Sequence, residues 1–155
     1  MPQPRSYFGL CQIGHKIYIS GGKKSRETVE YDVLRDRWEG SLEGGEGEFC
    51  VDWTLCAVRM RYVYGFGGRR GEGDGVGGSV EVVVVLDTWK KLWDSIQLKS
   101  PTNQTGIRYG IIPLPCESPK QVKLLIFGGY TAQGSTTSSW VFTSILGNLQ
   151  ASTAQ

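Results

Sequence analysis

The chain has 155 residues, 39% hydrophobic and 21% charged, with a formal net charge of +2 and a single histidine. That composition excludes a chain too polar to bury a core, and the charge is too small to argue for nucleic acid or an anionic membrane surface as partner. No apolar run approaches the ~20 residues that cross a bilayer as a helix, and the opening MPQPRSYFGL lacks the apolar centre of a secretory signal, so a soluble, cytoplasmic chain of one domain is expected.

In chain order, RSYFGLCQI and KIYIS are rich in β-branched and aromatic residues, which favours strands. Gly21-Gly22 then forces a turn, because glycine adopts positive φ without steric cost. VEYD and the stretch opening at Trp38 complete four short strands. DWTLCAV, RYVYGFGG, VVVVLD and the stretch from Trp93 repeat that order. IRYGIIPL and KLLIFGG begin a third round, whose third strand holds Trp140.

The Gly-Gly pairs recur 46 and then 61 residues apart, and Asp32 and Asp87 each precede a tryptophan by six residues. Self-similarity at such a period signals a repeat architecture. No segment carries an apolar stripe at helical spacing. The prediction is an all-β chain, one segment over 1–155, with repeats at about 4–46, 47–101 and 102–147 and a tail at 148–155.

The residues that carry the repeat are Gly21, Gly22, Tyr31, Asp32, Trp38, Gly67, Gly68, Asp87, Trp93, Gly128 and Gly129. Together they resemble the kelch repeat, which forms one four-stranded blade of a β-propeller. The first unit matches best, with Arg5 and Phe8 in its first strand. The second has Leu86 in place of the tyrosine and lacks the arginine. The third keeps Arg108 and Tyr109 and then loses the Asp–Trp pair.

The resemblance implies a kelch-type β-propeller of about three four-stranded blades, an incomplete ring, since propellers close with four to eight. Further blades of a longer chain, another chain, or a second copy forming a six-bladed ring would complete it. Trp38 and Trp93 are expected in the wedge between blades. Asp32 and Asp87 are expected to bind backbone N–H groups in turns.

The implied function is non-catalytic: a protein–protein interaction module presenting propeller loops to a partner, as a substrate adaptor or scaffold. The alternative is a fragment of a kelch-type enzyme whose catalytic residues lie outside this chain, because the copper-oxidase members use two histidines and this chain has only His15. No cofactor or metal is expected. Cys11, Cys50, Cys56 and Cys116 form no C-x-x-C pair and read as free thiols.

Gly73, Gly75 and Gly78 fit G-x-G-x-x-G, but a strand follows them where a dinucleotide site needs a helix. They read as a long loop. The expected partner-binding residues are instead Lys23, Lys24, Arg26, Arg69 and Arg70. These basic side chains follow the first two Gly-Gly pairs and suit an acidic partner surface.

Overall fold

The structure is a computed structural model that describes residues 3–23, 25, 27–42, 51–69, 82–97, 106–131, 134–135, 137–146 and 148–153. Among them there is no helix, hence none long and apolar enough to cross a membrane.

Three four-stranded antiparallel sheets follow one another along the chain, each in simple up-and-down order. The first is β1 (Gly9–Ile13), β2 (Lys16–Ser20), β3 (Thr28–Asp32) and β4 (Arg37–Leu42). The second is β5 (Val51–Val58), β6 (Tyr62–Arg69), β7 (Val82–Asp87) and β8 (Leu92–Gln97). After the short β9 (Gly106–Ile107), the third comprises β10 (Gly110–Leu114), β11 (Gln121–Phe127), β14 (Ser139–Ile145) and β15 (Asn148–Thr153). β12 (Tyr130–Thr131) and β13 (Gly134–Ser135) join β9 in a small three-stranded sheet.

Two of these features depart from the sequence-based expectation. Residues 148–153, read as a tail, pair with β14 as the outermost strand of the third sheet. NLQAST is poor in the β-branched and aromatic residues that mark the other strands; the open edge of β14 supplies the pairing. The small sheet is the second departure, and its two-residue strands are too short to leave a periodic signal.

The three Gly-Gly pairs share one backbone conformation. Their first glycines have φ of 65°, 68° and 66°, and their second 103°, 93° and 100°. Each pair lies within a residue or two of the end of the second strand of its sheet, where the chain must leave in a direction a side chain would resist. At the first pair the buried Arg5 guanidinium clasps the exit, with Nη1 donating to the carbonyl of Glu27 at 2.7 Å. Arg108 does not take that place in the third sheet. Aligned by strand register, Arg108 is the counterpart of Tyr7 and not of Arg5, and its guanidinium lies 5.7 Å from the Tyr7 ring centroid.

The sheets stack face to face, with β1 beside β5 and β5 beside β10. The second sheet is therefore covered on both sides, which explains why VVVVL is continuously apolar. Val83 and Val85 join the core shared with the third sheet, and Val84 and Leu86 the core shared with the first.

Trp53 anchors the first interface. Its Nε1 donates to the Ser20 carbonyl at 2.8 Å, and its ring stacks on Trp93 at 6.1 Å. Gly65 makes room for it, because a Cβ there would lie 2.8 Å from the indole. Phe142 anchors the second, edge-on to Phe66 at 5.2 Å and to Tyr64 at 6.3 Å. There Thr54 Oγ1 also donates to the Tyr109 carbonyl at 2.8 Å. Trp38 differs from Trp93. It lies half-buried on the outer face of the first sheet, against Tyr31, where no interface forms among the described residues.

Cys11 and Cys56 are buried and unpaired, one in each interface core. Burial pushes the Cys11 thiol up to about 12 and Cys56 up to about 11. Since the thiolate is the reactive form, both should resist iodoacetamide at pH 8 until the sheets separate, whatever the other two cysteines do. Peptide mapping after timed labelling checks this, and alkylation of Cys11 in the native protein at the rate of an open thiol would contradict the packing.

Candidate interaction surface

In each sheet the turns joining the first to the second strand and the third to the fourth leave from one end, opposite the Gly-Gly exits. In the first two sheets the outer turns are built alike. Asp32 Oδ1 accepts the backbone N–H of Leu34 and of Arg35, both at 3.0 Å. Asp87 Oδ1 accepts those of Trp89 at 3.1 Å and Lys90 at 3.3 Å. Asp36 and Lys91 close the turns at φ of 48° and 54°. The six-residue Asp–Trp spacing is thus hairpin register, with Tyr31 opposite Trp38 and Leu86 opposite Trp93.

Each aspartate carries a lowered pKa for its own reason. Burial alone would raise Asp32, but the backbone donors, His15 (Nε2 3.7 Å away) and Arg35 overcome it. Asp87 is lowered chiefly by Arg61, whose Nε and Nη2 reach its two carboxylate oxygens at 3.0 and 2.6 Å. The same guanidinium lies over the ring of Tyr62, at 5.0 Å, and over that of Trp89, at 4.6 Å. Such a bidentate arginine, packed on two rings, is held rigidly.

These turns push large apolar side chains into solvent. Leu34 is 78% exposed and Trp89 74%, and each is followed by a cation, Arg35 or Lys90. Val33, Met60 and Leu92 are exposed at the same end. Behind them, Arg59 Nη2 donates to the carbonyls of Ser118 and Gln121, both at 2.8 Å, tying the second sheet to the third. Lys16 pairs with the buried Glu30, and with Glu39 at 3.4 Å, within the first sheet.

Of the partner-binding residues expected from sequence, Lys23 alone has a described side chain. It is exposed, and its N–H donates to the Ser6 carbonyl at 2.8 Å. Lys24, Arg26, Arg70 and the Arg69 side chain lie outside the described residues, as do Gly73, Gly75 and Gly78.

Leu34, Trp89 and Arg61 were not singled out in the sequence. The signal that could have found the first two is the repeat itself: the second residue after the aspartate is large and apolar, then basic, in both units. Among the described residues no three His, Cys, Asp or Glu side chains gather as metal ligands would.

The fold and this surface define an all-β protein of repeated, blade-like four-stranded sheets. In sequence the chain is similar to Kelch-like protein 25 of Xenopus laevis, 39% identical over 46 residues, and to Kelch-like protein 25 of Xenopus tropicalis, 37% identical over 46 residues. Each match takes in 26% of this chain and 8% of the relative's length. No protein-family model matches the chain.

Proposed function

We propose that the chain is a three-blade piece of a kelch-type β-propeller and serves as a non-catalytic protein-interaction module, an adaptor or scaffold. The observation that carries this reading is the pair of equivalent turns that hold Leu34 and Trp89 in solvent on Asp-capped backbones. Exposed apolar patches mark interaction sites. The flanking Arg35, Arg61 and Lys90 suit a partner segment that alternates apolar and acidic residues. The partial similarity to the two Kelch-like proteins supports the propeller assignment. The basic residues Lys23, Lys24, Arg26, Arg69 and Arg70, which follow the first two Gly-Gly pairs in sequence, are a second candidate surface.

The test compares proteins recovered on immobilised wild-type chain with those recovered on two variants. The first is Leu34→Ser with Trp89→Ser. The second reverses the five basic residues to glutamate. Because Leu34 and Trp89 are exposed, the first should stay folded, losing only the about 0.5–1 kcal/mol of the exposed Arg61–Trp89 contact, and lose at least about tenfold in partner recovery, the effect expected of an aromatic anchor that a partner buries. Loss only in the second variant moves the site to the basic loops. Undiminished recovery in both rejects both surfaces.

A further inference from the structure

The turn between β10 and β11 contains Ser118, Pro119 and Lys120, all three exposed. Proline disfavours the α region for the residue before it, which suits the extended backbone in which a protein kinase takes up a serine. The Ser118 carbonyl accepts the N–H of Gln121 at 3.2 Å and closes the turn. Its Oγ accepts the N–H of Lys120 at 3.2 Å, and the hydroxyl donates to nothing among the described residues. The hydroxyl is thus on the surface with its proton uncommitted.

An arginine of the second sheet is fastened to the same turn. Arg59 Nη2 donates to the carbonyls of Ser118 and Gln121, and its Nε and Nη1 make no hydrogen bond among the described residues. Arg35, Arg61 and Lys16 are each met by a carboxylate. Arg59 is met only by carbonyls. The backbone is strained to place it there, since Arg59 and Met60 have φ of 54° and 55°, a region that residues other than glycine rarely adopt. Lys120 adds a second cation to the turn, and Glu117 is the acid beside it.

We propose that Ser118 is a phosphorylation site for a proline-directed serine kinase and that Arg59 is the built-in receptor for its phosphate. In the transfer, Ser118 Oγ attacks the γ-phosphorus of the kinase's ATP. The Oγ–P bond forms, the bond from that phosphorus to the β,γ-bridging oxygen breaks, and ADP leaves. The hydroxyl proton passes to the catalytic aspartate of the kinase. The new group carries about −1.5 to −2 charge and strong acceptor oxygens. Only Cβ, Cα and the carbonyl carbon separate Ser118 Oγ from the oxygen that Arg59 already holds, so the phosphate comes within reach of the spare guanidinium donors. Arg59 belongs to the second sheet and Ser118 to the third, so the modification tightens the tie between them.

The test treats the folded chain with a recombinant mitogen-activated protein kinase, ATP and Mg²⁺, and maps tryptic peptides by mass. Phosphate is expected on the peptide of residues 109–120 and absent from it in Ser118→Ala. The other Ser-Pro pair, Ser100-Pro101, falls on a separate peptide. Thermal unfolding then compares each protein with its own phosphorylated form, in a Ser100→Ala background so that Ser118 alone is modified. The wild-type midpoint should rise by about 2–4 °C, the shift of one charge-assisted contact in a chain of this size. The Arg59→Gln midpoint should not move. If Arg59→Gln does not fold, Arg59→Lys takes its place. It keeps the charge without the fork and should show less than half the rise.

No phosphate on residues 109–120 overturns the proposal. So does a wild-type midpoint that stays or falls on phosphorylation, or an undiminished rise in the Arg59 variant. The propeller and partner readings are untouched by any of these results, because neither Ser118 nor Arg59 is changed in the Leu34/Trp89 or basic-residue variants.

Discussion

Trp53→Ala is expected to lower the unfolding free energy by about 3–5 kcal/mol, the range for emptying a large buried aromatic site. The indole is buried between the first and second sheets, stacks on Trp93, and supplies the donor for the Ser20 carbonyl. Removing it leaves a cavity and a buried acceptor without its bond, which alone costs about 1–3 kcal/mol.

Trp53→Phe retains most of the ring and should fall between wild type and alanine. Trp38→Ala should cost less than Trp53→Ala, because Trp38 is half-buried on the open face of the first sheet. Urea titration followed by far-UV circular dichroism measures all three. A loss below about 1 kcal/mol for Trp53→Ala, the ordinary effect of a point substitution, would mean that the first two sheets do not pack through this side chain.

Gly22→Ala should cost roughly 1–3 kcal/mol, the usual cost of holding a side chain in sparsely populated backbone space. Gly22 has φ of +103°, and an added Cβ would lie 2.8 Å from the Ser6 carbonyl oxygen and 3.1 Å from Phe8 Cβ. The carbonyl belongs to backbone and cannot swing aside as a flexible side chain would. It also accepts the N–H of Lys23 at 2.8 Å, so a shift there would disturb the loop exit. Gly40→Ala is the control. Nothing lies within 4 Å of its added Cβ, so its effect should stay within about 0.5 kcal/mol. Equal losses for the two variants would remove the conformational argument for the repeated glycines.

Much of the architecture was legible because its signals are local. KIYIS, VEYD, RYVYGF, VVVVLD and KLLIF fall on β2, β3, β6, β7 and β11, where β-branched and aromatic residues suit a pleated surface. What local reading missed depends on neighbours distant in the chain. Arg61 and Asp87 are 26 residues apart and meet because β6 pairs with β7. Residues 148–153 form a strand because β14 offers an edge. Trp38 and Trp93 hold the same place in their repeats, yet one faces an open side and the other a neighbouring sheet.

By itself, the sequence determined the repeat, its strand order and its turns, because hairpin register and glycine conformation are set within a few residues. Which faces are covered was decided only by the tertiary structure. Leu10 and Leu55 have the same side chain at the same repeat position, and they differ in exposure because a sheet stands over one and not over the other. Burial belongs to what packs against a residue, so no local pattern could separate them.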